Sequence, residues 1–264
     1  MAATPAPEAP GPAKDAPPKK IRAYLVAAGD YHDIDFARLE LLKLFAEHPN
    51  IRVQVAHDFH DLEAIAASDF LVTYTCNVIP TEAQQRALRA YVAGGKRWFA
   101  LHGTNSILRF IEAGVDCPDE APIMMETLGT QFAAHPPIMP FKVRVSDPNH
   151  PLVQGINEFE ADDELYLCTI KGKLHHLLET TYSGPCKGFV QEAWPDNDPR
   201  PVYYLHQVEK GEVVYLNLGH CRGHWDMQPL MDYYPAVEKG SWAVPEYYEL
   251  LRRGLKYCAN NGTL

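Results

Sequence analysis

The alternation of short apolar runs with amphipathic stripes over residues 21–102 constrains this chain most. Residues 21–28 form an apolar run broken only by Arg22 and ended by Gly29-Asp30, the pattern of a strand buried on both faces of a parallel sheet. Ile34, Ala37, Leu41, Leu44 and Phe45 recur at helical spacing, and residues 51–56 and 70–75 read as further strands. Thr81 and Gln84, just after Pro80, form a capping-box signature that opens a helix through Tyr91, stopped at Gly94-Gly95. A fourth strand then runs into His102. Such β-α-β alternation requires right-handed crossovers and predicts an α/β fold with a flavodoxin-like, doubly wound, mostly parallel sheet.

The second half is less regular and is expected to be partly antiparallel. Pro136-Pro137, Pro148 and Pro185 separate short strand candidates at residues 141–145 and 165–170, which would extend or decorate the same sheet. Residues 202–208 and 212–218 flank Glu209-Lys210-Gly211, a hairpin connection with glycine where positive φ is tolerated, and this unit ends at Gly219-His220. Tyr247, Leu250, Leu251, Gly254, Leu255 and Cys258 make one stripe of a final helix before Gly262. The expected organisation is a single domain over residues 21–262, preceded by a disordered Pro/Ala-rich tail over residues 1–20 that lacks the apolar run of a signal peptide.

Composition narrows the partners. The chain has 264 residues with a formal charge of −10, from 24 Lys and Arg against 34 Asp and Glu, which is the wrong sign for wrapping phosphates. No stretch of about 18 apolar residues exists to span a bilayer. Six cysteines at positions 76, 117, 168, 186, 221 and 258 include no C-x-x-C pair and read as thiols of a reducing cytoplasm. No nucleic acid, membrane or nucleotide cofactor is expected as a partner, and the resemblance described below implies a small-molecule carbohydrate. Assembly as a homo-oligomer is left open.

The chemistry centres on Trp98-Phe99-Ala100-Leu101-His102-Gly103-Thr104-Asn105, a buried strand that stops abruptly at a histidine. In open α/β sheets ligands bind at that carboxyl edge. A G-x-S-x-G elbow would present a nucleophile there, but here the presented group is an imidazole, which points to acid/base work or metal ligation rather than acyl transfer. His32 follows the first strand and His220 the late hairpin, so His32, His102 and His220 converge if those strand ends point the same way. Neutral imidazoles ligate zinc and similar divalent ions, and they also shuttle protons near neutrality. Asp163 and Glu164, in Asp162-Asp163-Glu164-Leu165-Tyr166, offer carboxylates to complete a metal shell, orient a histidine or act as a general acid.

The remaining candidates are weaker. His135 and His150 precede prolines, as ordinary loop boundaries do. His48 reads as structural, and His57, His60, His175 and His176 as surface. Cys76 and Cys221 read as buried thiols. Trp225 and Asp226 offer an aromatic face and a polar clamp for a sugar.

Gly29-Asp30-Tyr31-His32-Asp33, Tyr91-Val92-Ala93-Gly94-Gly95 leading to Ala100-Leu101-His102-Gly103, Asn149-His150-Pro151-Leu152-Val153-Gln154-Gly155-Ile156, Asp163-Glu164-Leu165-Tyr166 and Leu218-Gly219-His220 follow one another in an order that resembles the trehalose-utilisation, or ThuA-like, family. The resemblance spans residues 21–262. It implies a fold similar to class I glutamine amidotransferases, with His102 where those enzymes place a cysteine nucleophile, so glutaminase activity is not expected.

The resemblance further implies carbohydrate catabolism acting on keto-sugars or keto-glycosides. A ketone at sugar carbon three acidifies the C2 hydrogen, which His102 would remove while a metal or a protonated imidazole stabilises the enolate. Loss of the C1 substituent, assisted by Glu164, would give elimination or hydrolysis; without a leaving group the same groups would run an isomerisation. Two other readings stand beside this one. One is a non-catalytic sugar-binding or regulatory protein on the same scaffold, and the other a cysteine hydrolase, which requires the sulfur of Cys76 or Cys221 within hydrogen-bond reach of a histidine.

Overall fold

The computed structural model describes residues 19–264, so most of the expected tail, residues 1–18, lies outside the described residues. Four parallel strands, β1 (Ile21–Gly29), β2 (Ile51–Ala56), β3 (Phe70–Cys76) and β4 (Arg97–Leu101), alternate with helices α1 (Ile34–Ala46), α2 (Leu62–Ala67) and α3 (Glu82–Ala93). A short hairpin, β5 (Arg109–Ile111) and β6 (Gly114–Asp116), precedes α4 (Pro122–Leu128). The chain continues through β7 (Thr130–Ala134), β8 (Met139–Val145), β9 (Phe159–Asp163), β10 (Leu167–Ile170) and β11 (His175–Thr181). Two-residue strands β12 (Gly184–Pro185) and β13 (Ala193–Trp194) lead to the hairpin β14 (Pro199–Val208) and β15 (Gly211–Leu216), and α5 (Pro245–Ala259) closes the fold.

One nine-stranded sheet runs in the order β2-β1-β3-β4-β15-β14-β11-β8-β9. Its first five strands are mutually parallel, and β15 takes the place of the fifth strand in the 2-1-3-4-5 flavodoxin order. The hairpin turn makes β14 antiparallel to β15, and the strands beyond it stay antiparallel. Doubly wound α/β with an antiparallel second half is therefore the observed fold class. Residues 165–170 differ from expectation: only Leu167–Ile170 is a strand, and it pairs with β7 in a separate two-stranded sheet.

Both faces of the parallel region are buried, and period-two alternation divides each strand between them. Ala23, Leu25 and Ala27 of β1 pack with α1 and α5, whereas Tyr24, Val26 and Ala28 pack with α2, α3 and α4. On β4, Phe99 and Leu101 face the first layer, and Trp98 and Ala100 the second. α3 carries the capping box read from the sequence, with Thr81 and Gln84 bonding reciprocally. Among the described residues no helix is long and apolar enough to cross a membrane.

α5 approaches the sheet at Gly254, where an added Cβ would lie 2.3 Å from Cζ of the fully buried Phe99. Gly254→Ala therefore sets helix propensity, favourable by about 1 kcal/mol, against overpacking that costs about 1–3 kcal/mol. Net destabilisation is expected in urea unfolding. A stabilised variant would show that α5 moves away from the sheet at little cost.

Candidate metal centre at the carboxyl edge of the sheet

The carboxyl ends of β1, β4 and β15 lie on one edge, and each is followed within a few residues by a histidine. After β1, Tyr31 adopts a left-handed φ of 67°, and Asp33 caps α1 through the Phe36 amide, which holds His32 in a short turn. His102 itself has φ 43° at the start of a 3-10 turn, a strained conformation of the kind found at functional sites. Gly103 makes that turn possible, because a Cβ there would meet the Thr75 carbonyl oxygen at 2.7 Å. His220 follows Gly219, whose φ of 126° is glycine territory.

Glu164 arrives from the antiparallel half, immediately after β9. It completes a buried group of His32, His102, Glu164 and His220 whose ligand atoms all lie within 4.8 Å of one another. Nε2 of His32 is 2.9 Å from Nε2 of His102. Glu164 Oε2 lies 3.7 Å from His32 Nε2 and 3.5 Å from His102 Nε2, and its Oε1 lies 3.3 Å from His220 Nδ1. Ligand atoms around tetrahedral zinc, with bonds of ~2.0–2.1 Å, sit roughly 3.3 Å apart.

The outer partners fix the imidazole tautomers. His102 Nδ1 is 2.8 Å from the Asn217 carbonyl and His32 Nδ1 is 3.2 Å from the Asp30 carbonyl. A carbonyl only accepts, so each Nδ1 donates and each Nε2 keeps its lone pair. His220 donates from Nε2 to Glu238 at 2.8 Å, and its buried Nδ1 has no hydrogen-bond partner of acceptable geometry. Two nitrogen lone pairs facing each other at 2.9 Å repel unless a cation, proton or metal, lies between them. Three imidazoles and one carboxylate are a donor set that zinc and neighbouring divalent metals accept.

The electrostatics agree. Burial pushes His32 down to about 4, so it is neutral at pH 7. Burial would raise Glu164, but the charges of His220 and His135 hold it well below the usual carboxylate range. His220 is raised to about 9, because Glu164 and Glu238 outweigh its burial. Arg222, itself buried, reaches Glu164 at 3.1 Å and Glu238 at 3.0 Å.

The site forms the floor of a pocket of about 530 Å³ lined by, among others, His32, Glu164, Tyr166, Arg222 and Glu238. His135 stands on its wall. Its Nδ1 donates to the Pro136 carbonyl at 2.7 Å, which leaves Nε2 open, 3.6 Å from Glu164 Oε1. Asp163, expected beside Glu164 as a catalytic group, faces away from the pocket. Its two oxygens accept four backbone N–H groups, from Glu164, Gly219, His220 and Ser241, at 2.8–3.1 Å. It positions the ligand-bearing backbone.

The other candidates lie elsewhere. Cys76 and Cys221 make no hydrogen bond to a histidine among the described residues; burial raises the first thiol strongly and pushes the second up to about 12. Trp225 is exposed and packs on Tyr233, and Asp226 accepts from the Gly223 amide. His150 contacts His175, which pairs with Asp147; His57 meets Arg38, and His60 pairs with Asp58. A wider groove at the opposite, amino edge, lined by Arg86, Arg89, Glu126 and Lys210, holds no buried ionisable cluster. Glu238 and Arg222 escaped sequence reasoning, since neither carries motif spacing; adjacency to His220-Cys221 was the one available signal for Arg222.

The fold and site together define a flavodoxin-like α/β protein whose carboxyl-edge pocket ends in a His/Glu cluster fit for a divalent metal. The chain belongs to the ThuA family, described as trehalose utilisation, which matches residues 23–234 and links it to carbohydrate use. A protein described as ThuA-like from Bacteroides uniformis superposes with a TM-score of 0.62 at 18% identity, covering 94% of this chain and 95% of that one. A second, from Parabacteroides merdae, gives 0.58 at 14% identity over 93% and 92%. A cold-adapted β-galactosidase from Rahnella sp. R3 gives 0.51 at 14% identity, covering 90% of this chain but 31% of its own. These identities establish a shared fold only. Among curated proteins none matches the sequence.

A metal must displace the proton that His220 carries below pH 9. Zinc affinity, measured by titration calorimetry in buffers of different ionisation enthalpy, should rise about tenfold per pH unit from about pH 6 to 8 and flatten above 9. Affinity independent of pH over that range would show that no proton leaves. Glu238→Gln should weaken zinc binding ~10–100-fold with the fold intact, by loosening the His220 tautomer.

Proposed function

We propose that this protein is a divalent-metal-dependent enzyme of carbohydrate breakdown that enolises a keto-glycoside and expels its C1 substituent. The observation carrying this reading is the convergence of three imidazole ring nitrogens and ionised Glu164 on one floor, beside a histidine whose Nε2 is open. The family's link to carbohydrate use supports the substrate class.

A metal held by His32, His102, His220 and Glu164 would supply Lewis acidity that polarises the sugar ketone and acidifies its neighbouring C–H. The chain's own groups then move the proton. His135 Nε2 takes the C2 hydrogen, and the C–H bonding pair becomes the C2–C3 double bond of an enolate. Glu164, 3.6 Å away, stabilises the imidazolium that forms. The enolate re-forms the ketone, and its pair passes to C1–C2 as the C1–O bond breaks. The leaving oxygen takes the proton from His135, so atoms and charge balance. Without a C1 leaving group, transfer of the O2 hydroxyl proton to the C3 oxygen, with return of the abstracted proton at C3, gives the C2 ketone, an isomerisation. His102 is wholly buried and serves as ligand, so base duty passes to the partly exposed His135.

Metal-loaded protein and a panel of 3-keto-glycosides in deuterated solvent test this, following C2 exchange and release of the leaving group. His135→Gln should slow both ~10²–10⁴-fold while retaining metal. His102→Ala should lose metal and turnover together. Wild-type protein that binds the sugars yet neither exchanges nor releases would replace the enzyme reading with that of a sugar-binding protein.

A further inference from the structure

We infer that the leaving group this site accepts is an aryl or similarly apolar aglycone rather than a second sugar, an inference that rests on the keto-glycoside reading above. The pocket is divided by polarity and depth. Its floor is buried and polar: His32, Glu164 and Arg222 are 5%, 3% and 9% exposed. One stretch of its outer wall is half-exposed or exposed and apolar, formed by Leu108, Phe110, Val115, Ile138, Phe189 and Met227.

A volume of about 530 Å³ holds more than one pyranose, so a substrate whose reacting ring meets the floor extends its C1 substituent along this wall. A second hexose would bring several hydroxyls there. Most would lose water without gaining a partner: the Lys187 ammonium and the Tyr31 hydroxyl are free to bond, but Tyr234 donates to Glu238, Glu238 also holds His220 and Arg222, and His135 Nε2 is engaged in the proton transfer. An aromatic ring loses nothing of this kind and gains edge and face contacts. The wall is already arranged that way: Tyr31 meets Phe110 edge-on at 5.3 Å, and Phe189 meets His135 edge-on at 4.9 Å. Lys187 makes no ion pair among the described residues and lines the same wall. When the C1–O bond breaks, the bonding pair goes to the departing oxygen, and an ammonium there stabilises the negative charge that builds on it until the His135 proton reaches it.

Phe110 is 44% exposed on the β5–β6 hairpin, so it can be truncated without opening the core. The experiment compares an aryl 3-keto-glucoside with 3-keto-trehalose on metal-loaded wild-type and Phe110→Ala protein, by kinetics and by equilibrium binding. The aryl substrate should have at least tenfold lower KM and Kd (roughly the worth of one or two aromatic contacts). Phe110→Ala should raise its KM about tenfold and that of 3-keto-trehalose by far less. Equal or better binding of the disaccharide, or an equal effect of the variant on both ligands, would overturn the inference. Absence of exchange with every substrate would remove the enzymatic reading, and the binding comparison would still decide the ligand class.

Discussion

Two imidazole nitrogens that cannot tolerate each other's lone pairs stand 2.9 Å apart at the centre of this protein, and much of the structure holds them there. The Asn217 and Asp30 carbonyls turn the rings of His102 and His32, Glu238 turns His220, and Tyr215 donates to the His102 carbonyl at 2.7 Å to brace its left-handed turn. Such an arrangement stores repulsion that a cation relieves. The binding energy of a divalent ion held there would therefore also be folding energy for this edge of the sheet.

The parallel half was legible because its signals are local and mutually consistent. Residues 21–28 read as a two-faced strand, and Tyr24 and Leu25 indeed pack into opposite layers. Thr81 and Gln84 announced α3 through a bond pattern spanning three residues. The antiparallel half was less legible, since the burial of β7, β9 and β11 depends on partners distant in sequence. Leu167 to Ile170 looked like sheet and is sheet, yet which strand it joins is a property of the whole fold.

At the site, strand ends brought His32, His102 and His220 to attention, because chain direction alone gathers them. The two neighbouring carboxylates could not be separated in that way. Asp163 and Glu164 differ by one methylene and one position, and a strand end turns successive side chains to opposite sides. One faces the cluster and the other is consumed by four amides. His135 looked like any residue before a proline; only the pocket wall distinguishes it.

Asp163 also divides the molecule into parts with different freedom to change. By binding the amides of Gly219, His220 and Ser241 it rivets the end of β9 to the loops after β15. The β5–β6 hairpin bonds through Val115 to the turn around Phe189, and among the described residues no carboxylate ties that pair or the turn around Met227 to the floor in this way. Descent with modification can therefore exchange the mouth while the floor stays in register. Proteins sharing this scaffold would then diverge in what they admit long before they diverge in what they do to it.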